Sequence, residues 1–188
     1  MLAERDVWLS MQPFAEHDHT FPTADSMEKN RQVCQGTDQV YRWAKKHGVK
    51  LAWGTDLLFE PANAARQSDM MTRLGADFTT VEALKMVTSG NAALFRLAGE
   101  RDPYKSARLG EPTVGAWADV LLLNGDPTTD LTVLADPSRN IALIVKDGAI
   151  VKNTLATTRD SSGWALTPPP QPQVRRTGIR EGEEQHHG

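Results

Sequence analysis

Val49-Lys50-Leu51-Ala52-Trp53-Gly54-Thr55-Asp56 is an extended, mostly apolar run that stops abruptly on a polar turn. A short apolar run closed by Gly and Asp reads as a buried strand followed by a loop. The stretch before it, Ala24 to His47, has another texture: Met27, Val33, Val40, Tyr41 and Ala44 fall loosely at helical spacing, and Lys45, Lys46 and Gly48 provide the basic last turn and the glycine that end a helix. A long helix with a break near Gly36 is predicted there. Earlier still, Val7-Trp8-Leu9-Ser10-Met11 is a second short apolar run, set between Asp6 and Pro13, and predicts a strand over about residues 6–12. Strand, long helix, strand is the crossover that joins two parallel neighbours under a covering helix, so the class is α/β, with doubly wound sheets and (β/α) barrels both built from this unit.

Downstream, Ala62 to Gly75 and Thr79 to Gly99 read as helices, the second opening on Thr79-Thr80-Val81-Glu82, the spacing of a capping box. After Asp102-Pro103 the chain turns to short β-branched and apolar runs divided by glycine: Ala118 to Leu123, then Ile141 to Val145. Lys146-Asp147-Gly148-Ala149 predicts a tight hairpin, because Asp-Gly accepts the positive φ angles of a primed turn. From about Thr157 the residues are mainly Ser, Pro, Gln, Arg and Glu, including Pro168-Pro169-Pro170-Gln171-Pro172. Such a composition buries too little apolar surface to offset the entropy of ordering, and a disordered tail is expected.

The 188 residues are 39% hydrophobic and 24% charged, the balance of a globular protein. A net charge of -3 offers no long-range attraction to phosphate backbones or anionic membranes, so neither nucleic acid nor a membrane is expected as partner. Cys34 is the single cysteine, which excludes an internal disulfide and a cysteine-based zinc cluster; it is expected as a small buried or half-buried side chain. No apolar run is long enough to span a bilayer, and Met1-Leu2-Ala3-Glu4-Arg5-Asp6 lacks the regions of a signal peptide. Localisation is left unknown, with the cytoplasm as default.

Three segments resemble the amidohydrolase superfamily, in its imidazolonepropionase-like and Xaa-Pro dipeptidase-like branch. Val7-Trp8-Leu9-Ser10-Met11-Gln12-Pro13 looks like the seventh barrel strand and Lys50-Leu51-Ala52-Trp53-Gly54-Thr55-Asp56 like the eighth. The third starts at Thr88-Ser89-Gly90-Asn91-Ala92-Ala93 and runs through Leu109-Gly110, Val114 to Leu123 and Gly125-Asp126-Pro127 to Val145-Lys146-Asp147-Gly148. Together they cover roughly residues 1–153, and their order and spacing make the match specific.

The resemblance implies the C-terminal part of a (β/α)8 TIM-type barrel over residues 1–100, strands of a small β-sandwich over 101–156, and the tail over 157–188. Met1-Leu2-Ala3-Glu4-Arg5 is similar to the end of the helix before the family's seventh strand, so the chain is expected to begin mid-domain. The implied chemistry is hydrolysis of amide, cyclic amide or dipeptide C–N bonds by metal-activated water, with a divalent metal, commonly zinc, as one or two ions. Asp56 matches the family's eighth-strand aspartate, which ligates the metal and carries the proton of the attacking water. Asp56 is therefore expected as both catalytic and metal residue. Its position at the C-terminal end of a barrel strand supports this independently, and a helix N-cap is the alternative reading of the same residue.

The family's other ligands, a His-x-His on the first strand, a carboxylated lysine or glutamate on the fourth and histidines on the fifth and sixth, are not matched here. His17-Asp18-His19 copies the first-strand spacing, but lies in a loop beyond the seventh-strand segment, where substrate contact or solvent exposure is expected. His47 reads as a helix-end residue favoured by the dipole, and His186-His187 as part of the tail. Trp53, Phe59 and the 13–23 loop are candidates to touch substrate, with barrel core an equal reading of Trp53. The chain is thus expected to be inactive alone, with a small-molecule or dipeptide substrate and either a homo-oligomeric partner or a complementing N-terminal barrel portion. The other hypothesis is a non-catalytic binding or oligomerisation module derived from such an enzyme. An in-frame His-x-His encoded upstream of Met1 would separate the two.

Overall fold

The computed structural model describes residues 1–12, 14–57 and 61–155. Pro13, Phe59 and the tail from 157 onward, each given a role above, lie outside the described residues.

The two short apolar runs form strands β1 (Leu9–Met11) and β2 (Leu51–Trp53), which pair in parallel with Leu9 opposite Leu51 and Met11 opposite Trp53. Between them runs α1 (Ala24–His47), a continuous 24-residue helix. The break anticipated at Gly36 is absent: a single glycine inside a helix costs only about 1 kcal/mol, which the turns on either side absorb. Thr23 caps its first turn by accepting from the Ser26 N–H at 3.1 Å. Gly48, at φ 65, ends it in the left-handed region after Lys45, Lys46 and His47.

Helical segments then follow in pieces. A 3-10 turn (Pro61–Arg66) leads into α2 (Gln67–Thr72) and a further turn (Arg73–Ala76), where the sequence suggested one helix. The Thr79–Glu82 capping box forms as expected, with the Thr79 N–H donating to Glu82 Oε2 at 2.8 Å at the start of α3 (Thr80–Lys85). A wide π turn (Met86–Gly90) passes into α4 (Asn91–Phe95), and the helix ends at a kink where Gly99 adopts φ 55. Gly90 matters for packing, because a Cβ there would sit 3.0 Å from the Lys85 carbonyl oxygen and 3.7 Å from that of Leu51. The tight distance is to the π turn's own Lys85 carbonyl, while the distance to β2 is an ordinary contact. Gly110, at φ 79, likewise brings its loop so near the Thr88 backbone that a Cβ would come within 2.6 Å of the Thr88 carbonyl carbon.

The last part is an antiparallel sheet of β3 (Val120–Leu123), β4 (Ile141–Lys146) and β5 (Ala149–Asn153), with β4 in the middle. A helical turn (Leu131–Leu134) and α5 (Pro137–Asn140) join β3 to β4. The β4–β5 hairpin turns through Asp147 (φ 49) and Gly148 (φ 75), the two positive angles of the primed turn expected there.

One core holds these elements together. Tyr41, Met71, Leu74, Phe78, Ala83, Met86, Leu131 and Leu134 are buried as a cluster, with Met11, Leu51, Trp53 and Leu123 packed on its margin. Tyr41 and Phe78 meet edge to face at 5.3 Å. Outside it, β3 keeps Val120, Leu121 and Leu122 roughly half exposed on the free edge of its sheet.

Candidate functional site

Because β1 and β2 are parallel, the loops that leave them emerge at the same end. The exit of β2 is tied down from a distance. Asn91 meets the Trp53 backbone with both halves of its amide, Oδ1 accepting from the Trp53 N–H at 3.0 Å and Nδ2 donating to the Trp53 carbonyl at 2.9 Å. Two residues on, Thr55 Oγ1 donates to Gln67 Oε1 at 3.3 Å. Asp56 follows, exposed and at φ 49. A helix N-cap takes extended backbone, so this left-handed aspartate is not one; Asp is among the few residues that tolerate the conformation.

The exit of β1 is braced by an ion pair that the sequence did not announce. Glu16–Asp18 forms a 3-10 turn, which separates the two histidines: His17 is 71% exposed, whereas His19 packs its ring edge to face on Phe14 at 4.5 Å. Asp18 between them has a fully buried side chain. It takes both nitrogens of the Arg73 guanidinium, Nη2 at 3.0 Å on Oδ1 and Nη1 on Oδ2, and also accepts from the Ala15 N–H at 2.7 Å. Arg66 stands 3.4 Å away, and the Asp18 carbonyl accepts from Asn63 Nδ2 at 2.6 Å. Burial alone would raise the Asp18 pKa, but the bonds from Arg73 and Ala15 and the Arg73 charge outweigh it and hold the carboxyl below its ordinary value. The Arg73 pKa is raised in return. Nothing local signals this pair, whose partners are 55 residues apart.

The loop after β1, the start of α1 and Asp56 line an open cavity of about 650 Å³, to which Phe14, His19, Phe21 and Asp56 all contribute. The structure thus brings His19 of the 13–23 loop and Asp56 to one cavity and sends His17 to solvent. Trp53 is half-buried against the core. His47 is the last residue of α1, as read. Cys34 is half-buried, its thiol pKa raised chiefly by burial.

A catalytic zinc needs three protein ligands. Among the described residues no group of three or more His, Cys, Asp or Glu side chains is placed to hold a metal ion. The set does not fit a complete metal centre, and the titratable side chains that line the cavity are His19, Lys29 and Asp56. No helix among them is long and apolar enough to cross a membrane.

No family model and no curated protein matches the chain. Solved structures do. An amidohydrolase superposes with a TM-score of 0.68 at 26% identity, over 82% of this chain and 36% of its own. The chain resembles amidohydrolases. A prolidase complexed with N-methylphosphonate-L-proline gives 0.68 at 25% identity, over 81% of this chain and 36% of that one. A Xaa-Pro dipeptidase with bound methionine gives 0.57 at 22% identity over 73% and 31%, a likeness of fold. The amidohydrolase-like chain therefore spans about a third of the length of the structures it matches, with a mixed α/β fold, and those neighbours are hydrolases acting on C–N bonds.

Proposed function

We propose that these residues are the C-terminal part of the barrel of a metal-dependent amidohydrolase that cleaves the C–N bond of a small amide, cyclic amide or dipeptide, and that Asp56 is the carboxylate that moves the proton. One observation supports this above the others: Asp56 follows the end of a parallel strand, in a left-handed turn, and lines a cavity shared with the loop of the neighbouring strand. Residues at the C-terminal ends of parallel strands are where such folds carry chemistry. As a base Asp56 accepts the proton of the attacking water, and as its conjugate acid it returns that proton to the leaving nitrogen. A divalent metal, zinc by the same resemblance, would supply Lewis acidity, and its ligands besides Asp56 are assigned to chain beyond these residues.

The test is hydrolysis of a panel of Xaa-Pro dipeptides, N-acyl amino acids and cyclic amides by the longest reading frame that contains these residues, with Asp56→Asn beside it. Turnover should fall by about 10²-fold or more, the range of general-base loss, with the fold retained. Equal turnover of the two proteins would end the assignment. The exposed edge strand β3, with Val120, Leu121 and Leu122, favours a second reading as a binding or oligomerisation module. Hydrolysis of nothing on the panel, together with concentration-dependent self-association through that edge, would favour it.

A further inference from the structure

The cavity beside Asp56 has a wall with a chemistry of its own. Phe14 and His19 meet at 4.5 Å, Phe21 stands 6.0 Å from His19, and Val33 of α1 adds to the lining. Three polar side chains of the same lining have partners within the chain. Lys29 Nζ lies 2.6 Å from Asp25, Asn30 Nδ2 donates to the Glu16 carbonyl at 3.2 Å, and Ser26 Oγ accepts from Thr23 Oγ1 at 2.9 Å. Apart from Thr20, Asp56 and the ring nitrogens of His19, what remains for a ligand is ring surface and the Val33 methyls. The loop that carries the rings is also fixed in advance, since the Asp18–Arg73 pair and the Asn63 bond anchor it between Phe14 and Phe21. A wall ordered before binding spends little of the binding energy on ordering itself.

We propose that Phe14, His19, Phe21 and Val33 form an apolar subsite for the ring-bearing side chain of a small amide, oriented with its C–N bond toward Asp56. Only that orientation rests on the catalytic reading of Asp56; the binding does not. Aromatic side chains give such a site most of its affinity, because each buries a large apolar face and prefers edge-to-face contact with a ring.

Equilibrium dialysis of the full chain against N-acetyl-L-phenylalaninamide and N-acetylglycinamide, with saturation-transfer NMR to find the contacting protons, tests this without turnover. The phenylalanine probe should bind at one saturable site per chain, at least about 10-fold tighter than the glycine probe, with transfer strongest at its ring protons. Phe21→Ala should remove most of that preference, and Phe21→Leu, which keeps apolar bulk, should remove less. Equal binding of the two probes, or a preference untouched by both Phe21 variants, would overturn the subsite. The two readings fail separately. A protein that shows the preference but hydrolyses no amide keeps the subsite and loses the catalytic assignment. A protein inactivated by Asp56→Asn that shows no preference loses the subsite alone.

Discussion

Replacing Asp18 by Asn keeps the shape of the side chain and removes its charge from a position with no exposure to solvent. The asparagine can still accept from the Ala15 N–H, but one end of its amide then presents a donor to the Arg73 guanidinium. Hydrogen bonds to charged groups contribute about 1.5–3 kcal/mol each, and breaking a buried ion pair typically costs about 3–5 kcal/mol. The Arg73 side chain is 24% exposed and has Asp69 at 3.9 Å, so its charge recovers part of its hydration and keeps an acidic neighbour. The expected loss is therefore near the lower end, about 2–3 kcal/mol. The acid dependence gives a sharper check. Because the folded pKa of Asp18 lies below its unfolded value, the carboxylate contributes stability that is complete above about pH 4 and is lost as the pH falls through the folded pKa. Urea denaturation followed by tryptophan fluorescence should show the full gap between parent and variant at pH 7, and a closing gap below about pH 4. Equal midpoints at pH 7, or a gap indifferent to acidification, would refute the assignment of Asp18 as the brace of the loop.

Gly148→Val places a β-branched residue at φ 75 and should destabilise by about 1 kcal/mol or more, with Gly148→Asn milder; equal denaturation midpoints would remove the primed turn. Tyr41 has its hydroxyl buried without a partner among the described residues, while its ring stays on Phe78. Tyr41→Phe should therefore cost nothing and gain up to about 1 kcal/mol, and a loss of similar size in thermal unfolding would show that the hydroxyl is bonded. Gly36 lies inside α1 with no atom within 4 Å of where a Cβ would stand. Gly36→Ala should raise stability by about 0.5–1 kcal/mol, visible as a higher unfolding midpoint.

What could be read from the sequence was whatever a few adjacent residues decide. Asp147-Gly148 fixes a turn by its own backbone preferences, Thr79 and Glu82 satisfy each other three residues apart, and the Gly54-Thr55-Asp56 exit of β2 stands where its apolar run stops. Reading Gly36 as a break gave one residue's propensity more weight than the helical turns around it. The Asp18 brace was hidden for the opposite reason. A short polar run with a histidine on either side looks like a solvated loop until Arg73, from far along the chain, is folded against it. Residues 61–76 divide into helix and 3-10 turns, and within them Arg66 and Arg73 reach toward Asp18, a contact that periodicity does not encode.

The Asn91 side chain, 38 residues from Trp53, serves the end of β2 as a neighbouring strand would. The Trp53 amide hydrogen is expected to exchange with deuterium as its bond to Asn91 opens, by movement of that side chain or of the helical segment that carries it. Slow exchange at Trp53 would then be a clock for that contact, and the moorings of Asp56 would loosen in step with it.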